Sequence, residues 1–166
     1  HEESLELVPS RYEAWRERFV AERDRITAAL SGTDVADAVV RIDHVGSTAV
    51  PDLAAKDVVD LDVVVDDDAV SPVSTLLADE LGGERYENGD SWHPIFREHE
   101  DQRFNVHVFG VTDDGWKVSV VTRDVLRAHV DLREEYEARK RDLAASTDDL
   151  GEYSRGKTAI LDRLLA

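Results

Sequence analysis

The sequence predicts an α+β domain, a β-sheet with one long helix before it and a group of helices after it. An apolar stripe at helical spacing fills the stretch after Ser10, short strand-like runs occupy Val39 to Phe109, and everything beyond Trp116 returns to helical periodicity. The 166 residues suit one compact domain with a sizeable core, assigned to residues 10–166. Residues 1–9 read as an N-terminal extension or tag remnant, because the chain opens on His1 and lacks an initiator methionine.

Each element has its own signal. Ser10 and Glu13 form a capping-box pattern, and Tyr12, Trp15, Phe19, Ile26 and Leu30 then mark one face of a helix that ends at Gly32. Val39 to Val45 is the first strand, with Ile42 and His44 on one face and Arg41 and Asp43 on the other. A second, very apolar strand follows Lys56 and runs to Val65. The acids Asp66, Asp67 and Asp68 after it read as a solvated turn. Ser71-Pro72 predicts a helix start, a cap followed by a first-turn proline, and Gly82-Gly83 its stop. Arg85 to Glu87, Trp92 to Arg97 and Arg103 to Phe109 are strand-like, separated by an Asn88-Gly89 turn and a charged turn. Trp116 to His129 then reads as a helix, followed by one capped by Asp131 and a last one from Leu150 to the end.

The chemistry concentrates between Asp43 and Val65. On the second strand Asp60 and Asp62 are two apart and so share a face, flanked there by Val58 and Val64. Two like charges in apolar surroundings repel, and burial makes each costly unless something cationic joins them. A divalent metal with oxygen ligands is the economical partner. Upstream, Gly46 permits the close backbone approach a phosphate needs, and the amides of Ser47 and Thr48, opening a helical turn, would face an anion. A phosphate on one side and a metal on the other describe a nucleotide site. Lys56 is a candidate to neutralise phosphate charge, and Lys157, on the inward side of an apolar helical stripe, either snorkels out to solvent or meets a negative group such as a phosphate. Arg123 and Arg127, four apart on one helix face, could clamp phosphates or form a surface pair bridged to Asp124. His107, with Arg103, Asn105 and Phe109, forms a row able to line the same cleft as the Asp pair.

Composition excludes other classes. Cysteine is absent, which removes disulfides, thiolate catalysis and cysteine metal sites and agrees with a reducing cytoplasm. No stretch has the apolar length of a membrane span. The formal charge is −17, and the acids are scattered along the whole chain rather than gathered into a tail. An acidic face for a basic partner is one reading; the scattered distribution favours the other, a halophilic, acid-rich surface whose self-repulsion is screened by molar salt. No basic stripe is visible, which disfavours broad nucleic-acid binding.

Three stretches together, IDHVGSTAVPDLAAKDVVDLDVVV, FNVHVF, and VTRDVLRAHVDLREEYEARKRDL followed by EYSRGK, resemble the GrpB family, small proteins with a nucleotidyltransferase-like fold also found fused to dephospho-CoA kinases. The resemblance spans nearly the whole chain from Tyr12 onward. It implies a mixed β-sheet in which Gly46 and Ser47 match a triphosphate anchor and Asp60 and Asp62 match paired metal-binding carboxylates. The third carboxylate of such sites falls on the Arg103 to Phe109 strand, where the inward candidate is His107. Histidine there suits manganese or zinc as well as magnesium, or a base near neutral pH. Family members commonly read Val-Pro-Gly-Leu where this chain has Val50-Pro51-Asp52-Leu53, which adds a negative charge beside the phosphate position. Arg139 stands where an apolar residue before Lys140 is usual.

Two readings follow. One is metal-dependent transfer of a nucleoside monophosphate from a nucleoside triphosphate to an unknown acceptor, with Mg2+ or Mn2+ as cofactor. The other is a degenerate module that binds a nucleotide or a coenzyme-A-like ligand without transfer. A structural interaction protein would leave the inward Asp pair and Lys157 unexplained. A hydrolase built on His44, His93, His107 and Asp60 has the residue types without a recognised ligand spacing.

Overall fold

The computed structural model describes residues 7–146. The expected last helix, and Lys157 with it, lie outside the described residues. The order is α1 (Tyr12–Leu30), β1 (Val39–Val45), β2 (Val58–Val65), α2 (Val70–Leu81), β3 (Glu84–Arg85), β4 (Trp92–His99), β5 (Gln102–Gly110), α3 (Asp114–Ala128) and α4 (Val130–Ser146). The strands form one mixed sheet in the order β1-β2-β5-β4-β3, parallel between β2 and β5 and antiparallel elsewhere.

The apolar face of this sheet, with Val59, Leu61 and Val63 of β2 and Phe104, Val106 and Val108 of β5, packs on Trp15, Ile26 and Leu30 of α1 and Val70, Val73 and Leu77 of α2. Burying side chains of this kind stabilises by roughly 1.5–3 kcal/mol each. The stripe on α1 includes one residue the apolar pattern passed over. Glu22 is fully buried, and its carboxylate accepts from Arg97 Nη1 at 2.8 and 2.9 Å and from Arg25 Nε at 2.8 Å. Removing either Glu22 or Arg97 would strand a buried charge.

Three helix starts differ from expectation. Ser10 does not cap α1; Arg11 holds that position, with no side-chain cap bond. The helix start is held instead by Asp57, which accepts from Trp15 Nε1 at 2.9 Å and Arg18 Nη1 at 2.7 Å. Helix α2 begins at Val70, after a 3-10 turn over Asp67–Ala69, so Ser71 and Pro72 lie inside its first turn. Proline is tolerated there because first-turn amides have no intrahelical acceptor. Asp67 in that turn is exposed and accepts from the Thr112 amide and hydroxyl at 3.0 and 2.8 Å. Helix α4 starts one residue before Asp131, which falls in its first turn.

The N-terminal segment also joins the fold. Val8 makes an antiparallel bridge with Ala55, N to O at 2.9 Å and back at 3.1 Å. Helices α3 and α4 attach through a second, smaller cluster in which Leu126 and Tyr136 pack on Val50 and Leu53, with Leu132 and Leu143 at its margin. This cluster sets the helices beside the loop that follows β1. No helix among the described residues is long and apolar enough to cross a membrane.

Candidate functional site

The polar face of the sheet carries the Asp pair. In register, Asp62 stands opposite Asp43 on β1 and His107 on β5, while Asp60 stands opposite Val45 and Asn105. Alternation along three neighbouring strands thus gathers Asp43, Asp60, Asp62 and His107 on one face. His44, on the opposite face, turns to α1, where its ring stacks on Phe19 at 5.0 Å. His93 is buried with Ser74 of α2, Oγ to Nδ1 3.0 Å. The three histidines are therefore divided between the two faces, which removes a hydrolase built on all of them.

The turn after β1 packs directly on this face. Gly46 has φ +77, and a Cβ built on it would lie 2.7 Å from Asp60 Oδ2. Both the left-handed backbone and the missing side chain are required. Ser47 opens the short 3-10 turn Ser47–Ala49. Its hydroxyl accepts from Lys140 Nζ at 2.8 Å. Thr48 is buried, its Oγ1 2.9 Å from His44 Nε2, so only its backbone is available to a ligand.

Asp62 is the most deeply buried carboxylate of the three on the face. It is 1% exposed, and neither carboxylate oxygen makes a hydrogen bond of normal geometry, although the Ser119 hydroxyl of α3 approaches it. Burial pushes its carboxyl up to about 7; His107 and the Ser119 hydroxyl oppose the rise, and the neighbouring Asp60 and Asp43 add to it. Asp43 moves the other way. Burial alone would raise it, but the hydrogen bonds from Arg41 and Arg123 outweigh burial and hold it ionised below the usual carboxylate range.

His107 does not stand ready as a third ligand. Trp92 Nε1 donates to its Nδ1 at 3.2 Å, and Nε2 lies 3.5 Å from Asp60 Oδ1. Because an indole N–H can only donate, the neutral ring must carry its proton on Nε2, facing Asp60. Burial would lower the pKa of His107, but Asp60 and Asp62 together raise it. Among the described residues, no three His, Asp or Glu side chains converge to hold a metal. Of the expected set, Asp60, Asp62 and His107 share this face, with both ring nitrogens of His107 engaged by Trp92 and Asp60. The two carboxylates do fit a cation, through the two unsatisfied oxygens of Asp62 beside Asp60.

A cleft of about 160 Å³ opens beside the turn, bounded by Gly46, Ser47, Ser119, Arg123 and Tyr136. Arg123 of α3 is one of the predicted phosphate residues, and it is tied down: Nη1 reaches Asp43 Oδ1 at 3.1 Å and His44 O at 3.2 Å, and Nε reaches Asp124 at 3.0 Å. Arg127 donates through Nε to Ala49 O at 2.8 Å and faces a different cleft. Lys56 precedes β2 and does not line the cleft.

Sequence reasoning missed Lys140. It is 1% exposed, donates to Ala54 O at 2.8 Å as well as to Ser47, and sits 5.2 Å from the Tyr136 ring centre. A lysine three residues from Leu143 and four from Tyr136, on the stripe already read as apolar, was the available signal. Tyr136 is kept protonated chiefly by burial, with the charge of Asp60 adding to it. Asp52 has φ +58. The position demands a left-handed backbone, which aspartate tolerates better than most residues. Arg139 is a surface residue paired with Glu135 at 2.8 Å.

Comparison with known proteins places this arrangement. The chain matches the GrpB protein family over residues 4–166. It is 34% identical over 163 residues to a UPF0157 protein of Deinococcus radiodurans, covering 98% of this chain and 82% of that protein. It is 35% identical over 161 residues to a UPF0157 protein of Streptomyces coelicolor, covering 96% and 82%. Among solved structures, the conserved protein GrpB from Enterococcus faecalis superposes with a TM-score of 0.72 at 22% identity, over 97% of this chain and all of that one. The Cid1 poly(U) polymerase, with Mg and 3'-dATP bound, superposes with a TM-score of 0.54 at 14% identity, over 87% of this chain and 51% of that one. The fold is therefore nucleotidyltransferase-like, and the chain belongs to the GrpB family.

Proposed function

We propose that this protein binds a nucleoside triphosphate with a divalent metal at the Gly46-Ser47 turn and the Asp60–Asp62 pair, and transfers the nucleoside monophosphate to an acceptor. The observation that carries the reading is Asp62: a buried carboxylate with two unsatisfied oxygens, next to a second carboxylate that packs against a glycine turn. Among the described residues no arginine or lysine pairs with that carboxylate, and a bound cation would offset its burial.

Asp60 and Asp62 would hold the metal, Mg2+ or Mn2+, which when bound supplies charge neutralisation on the phosphates. His107 holds Asp60 in place through Nε2–H, and Trp92 fixes that tautomer. The turn amides and the Lys140 ammonium, already at Ser47 Oγ, would bind the pyrophosphate end, with Arg123 across the cleft. The test is pyrophosphate release from each nucleoside triphosphate with Mg2+ or Mn2+ in molar KCl. Release that disappears in Asp60→Asn supports transfer.

The same geometry favours one alternative, a module that binds without transfer. It rests on His107, which stands where a third carboxylate is expected and is engaged at both nitrogens. Saturable nucleotide binding with no pyrophosphate released under any of these conditions would select it.

A further inference from the structure

On the far side of Arg123 a second cleft, of about 220 Å³, opens at the β1 edge of the sheet between α1 and α3. Four arginines line it: Arg16 and Arg23 from α1, Arg123 and Arg127 from α3. Asp43 is the carboxylate among its lining residues, so the four positive charges less one negative leave +3, in a chain whose formal charge is −17. Like charges gathered in one cleft repel unless a counter-charge is supplied.

Among the described residues, Asp43, Asp124 and Asp24 supply part of it, to Arg123 and Arg23, and none of it reaches Arg16 or Arg127. Arg123 is satisfied by Asp43, His44 O and Asp124. Arg127 spends Nε on a neutral carbonyl, that of Ala49. Arg23 stands 3.6 Å from the exposed Asp24 and lies over the Phe19 ring at 5.7 Å. Arg16 makes no hydrogen bond or ion pair with another described residue. The nearby His44 ring feels the same field: burial first, then Arg127 and Arg123, disfavour its protonation against the pull of Asp60.

We propose that this cleft is a second anion site, which takes a phosphate group of a small phosphorylated molecule. Guanidinium forks match the tetrahedral oxygens of phosphate, and two helices presenting them from opposite sides would enclose one such group. A small molecule is favoured over a nucleic-acid strand because the field of a chain at −17 repels a polyanion, while a local cluster still holds one dianion. The cleft shares Arg123 with the Ser47 turn, so its occupant would lie one guanidinium away from the first cleft. The site itself does not rest on the transfer reading.

The test uses the full chain without divalent metal, at constant KCl, titrated with inorganic phosphate and followed by the arginine Nε–H resonances. Saturable binding is expected, weakened at least tenfold in Arg16→Gln/Arg127→Gln and retained in Lys140→Met. Both arginines are exposed, so the double variant should keep the wild-type circular dichroism spectrum. Binding unchanged in the double variant, or lost in Lys140→Met instead, would overturn the site. A single-stranded ten-nucleotide RNA binding more tightly than glycerol phosphate would overturn the assignment to a small molecule.

Discussion

Lys140 Nζ donates to Ser47 Oγ at 2.8 Å, joining α4 to the turn after β1 across 93 residues of chain. The same ammonium reaches Ala54 O, so one buried cation ties both ends of the loop between β1 and β2 to α4. A phosphate placed at the turn would meet this cation where it already stands.

Lys140→Met tests that arrangement. It leaves the buried Ala54 carbonyl and the part-buried Ser47 hydroxyl without this donor, and a charge-assisted hydrogen bond is worth about 1.5–3 kcal/mol. We expect a lower Tm, and nucleotide affinity reduced at least tenfold in calorimetry. Lys140→Arg should not restore affinity, because a planar fork cannot replace a compact ammonium in this space. Full affinity in both variants would remove Lys140 from the site.

Asp62 should make the metal-free protein less stable. Its folded carboxyl titrates at about 7 against 3.8 for an ordinary aspartate, so between those values the folded state holds a proton that the unfolded state has released. Stability from this group is therefore lost as pH rises from 4 to 7, by about 4 kcal/mol at most. Asp62→Asn should raise Tm at pH 8 in chelator and show little gain at pH 4. Added Mn2+ should raise the wild-type Tm and leave the variant unmoved.

His44 predicts the opposite slope. Burial, aided by Arg127 and Arg123, lowers its pKa from 6.5 to about 4. Between those values the unfolded state binds the extra proton, so stability falls on acidification from pH 6.5 to 4, by about 3 kcal/mol. Urea denaturation of His44→Gln should lack that part of the pH dependence. An unchanged slope would show that another group titrates there.

Much of the sheet was legible because alternation is a local signal. Val39–Val45 and the Asp60–Asp62 face follow from period two within single strands, and the His107 row from the same rule on β5. Which histidine meets which carboxylate depends on register between β2 and β5, strands that only the fold makes neighbours. Asp57 holding the start of α1, and Lys140 reaching Ser47, are likewise pairings between distant segments that no periodicity encodes. Asp52 shows a different limit. In sequence it reads as an added charge, whereas its backbone at φ +58 is left-handed, a conformation that the sequence does not announce. Arg127 was readable as a cation on a helix face; that it opens on a second cleft with Arg16 and Arg23 required the helix packing.

The most direct measurement is calorimetric titration of nucleoside triphosphates with Mg2+ and then Mn2+, in molar KCl, on wild type and on Asp60→Asn. Metal-dependent saturable binding in wild type, lost in the variant, is the predicted result. Binding that is absent with both metals, or equal in the two proteins, would contradict a nucleotide site on the Gly46-Ser47 turn and the Asp pair.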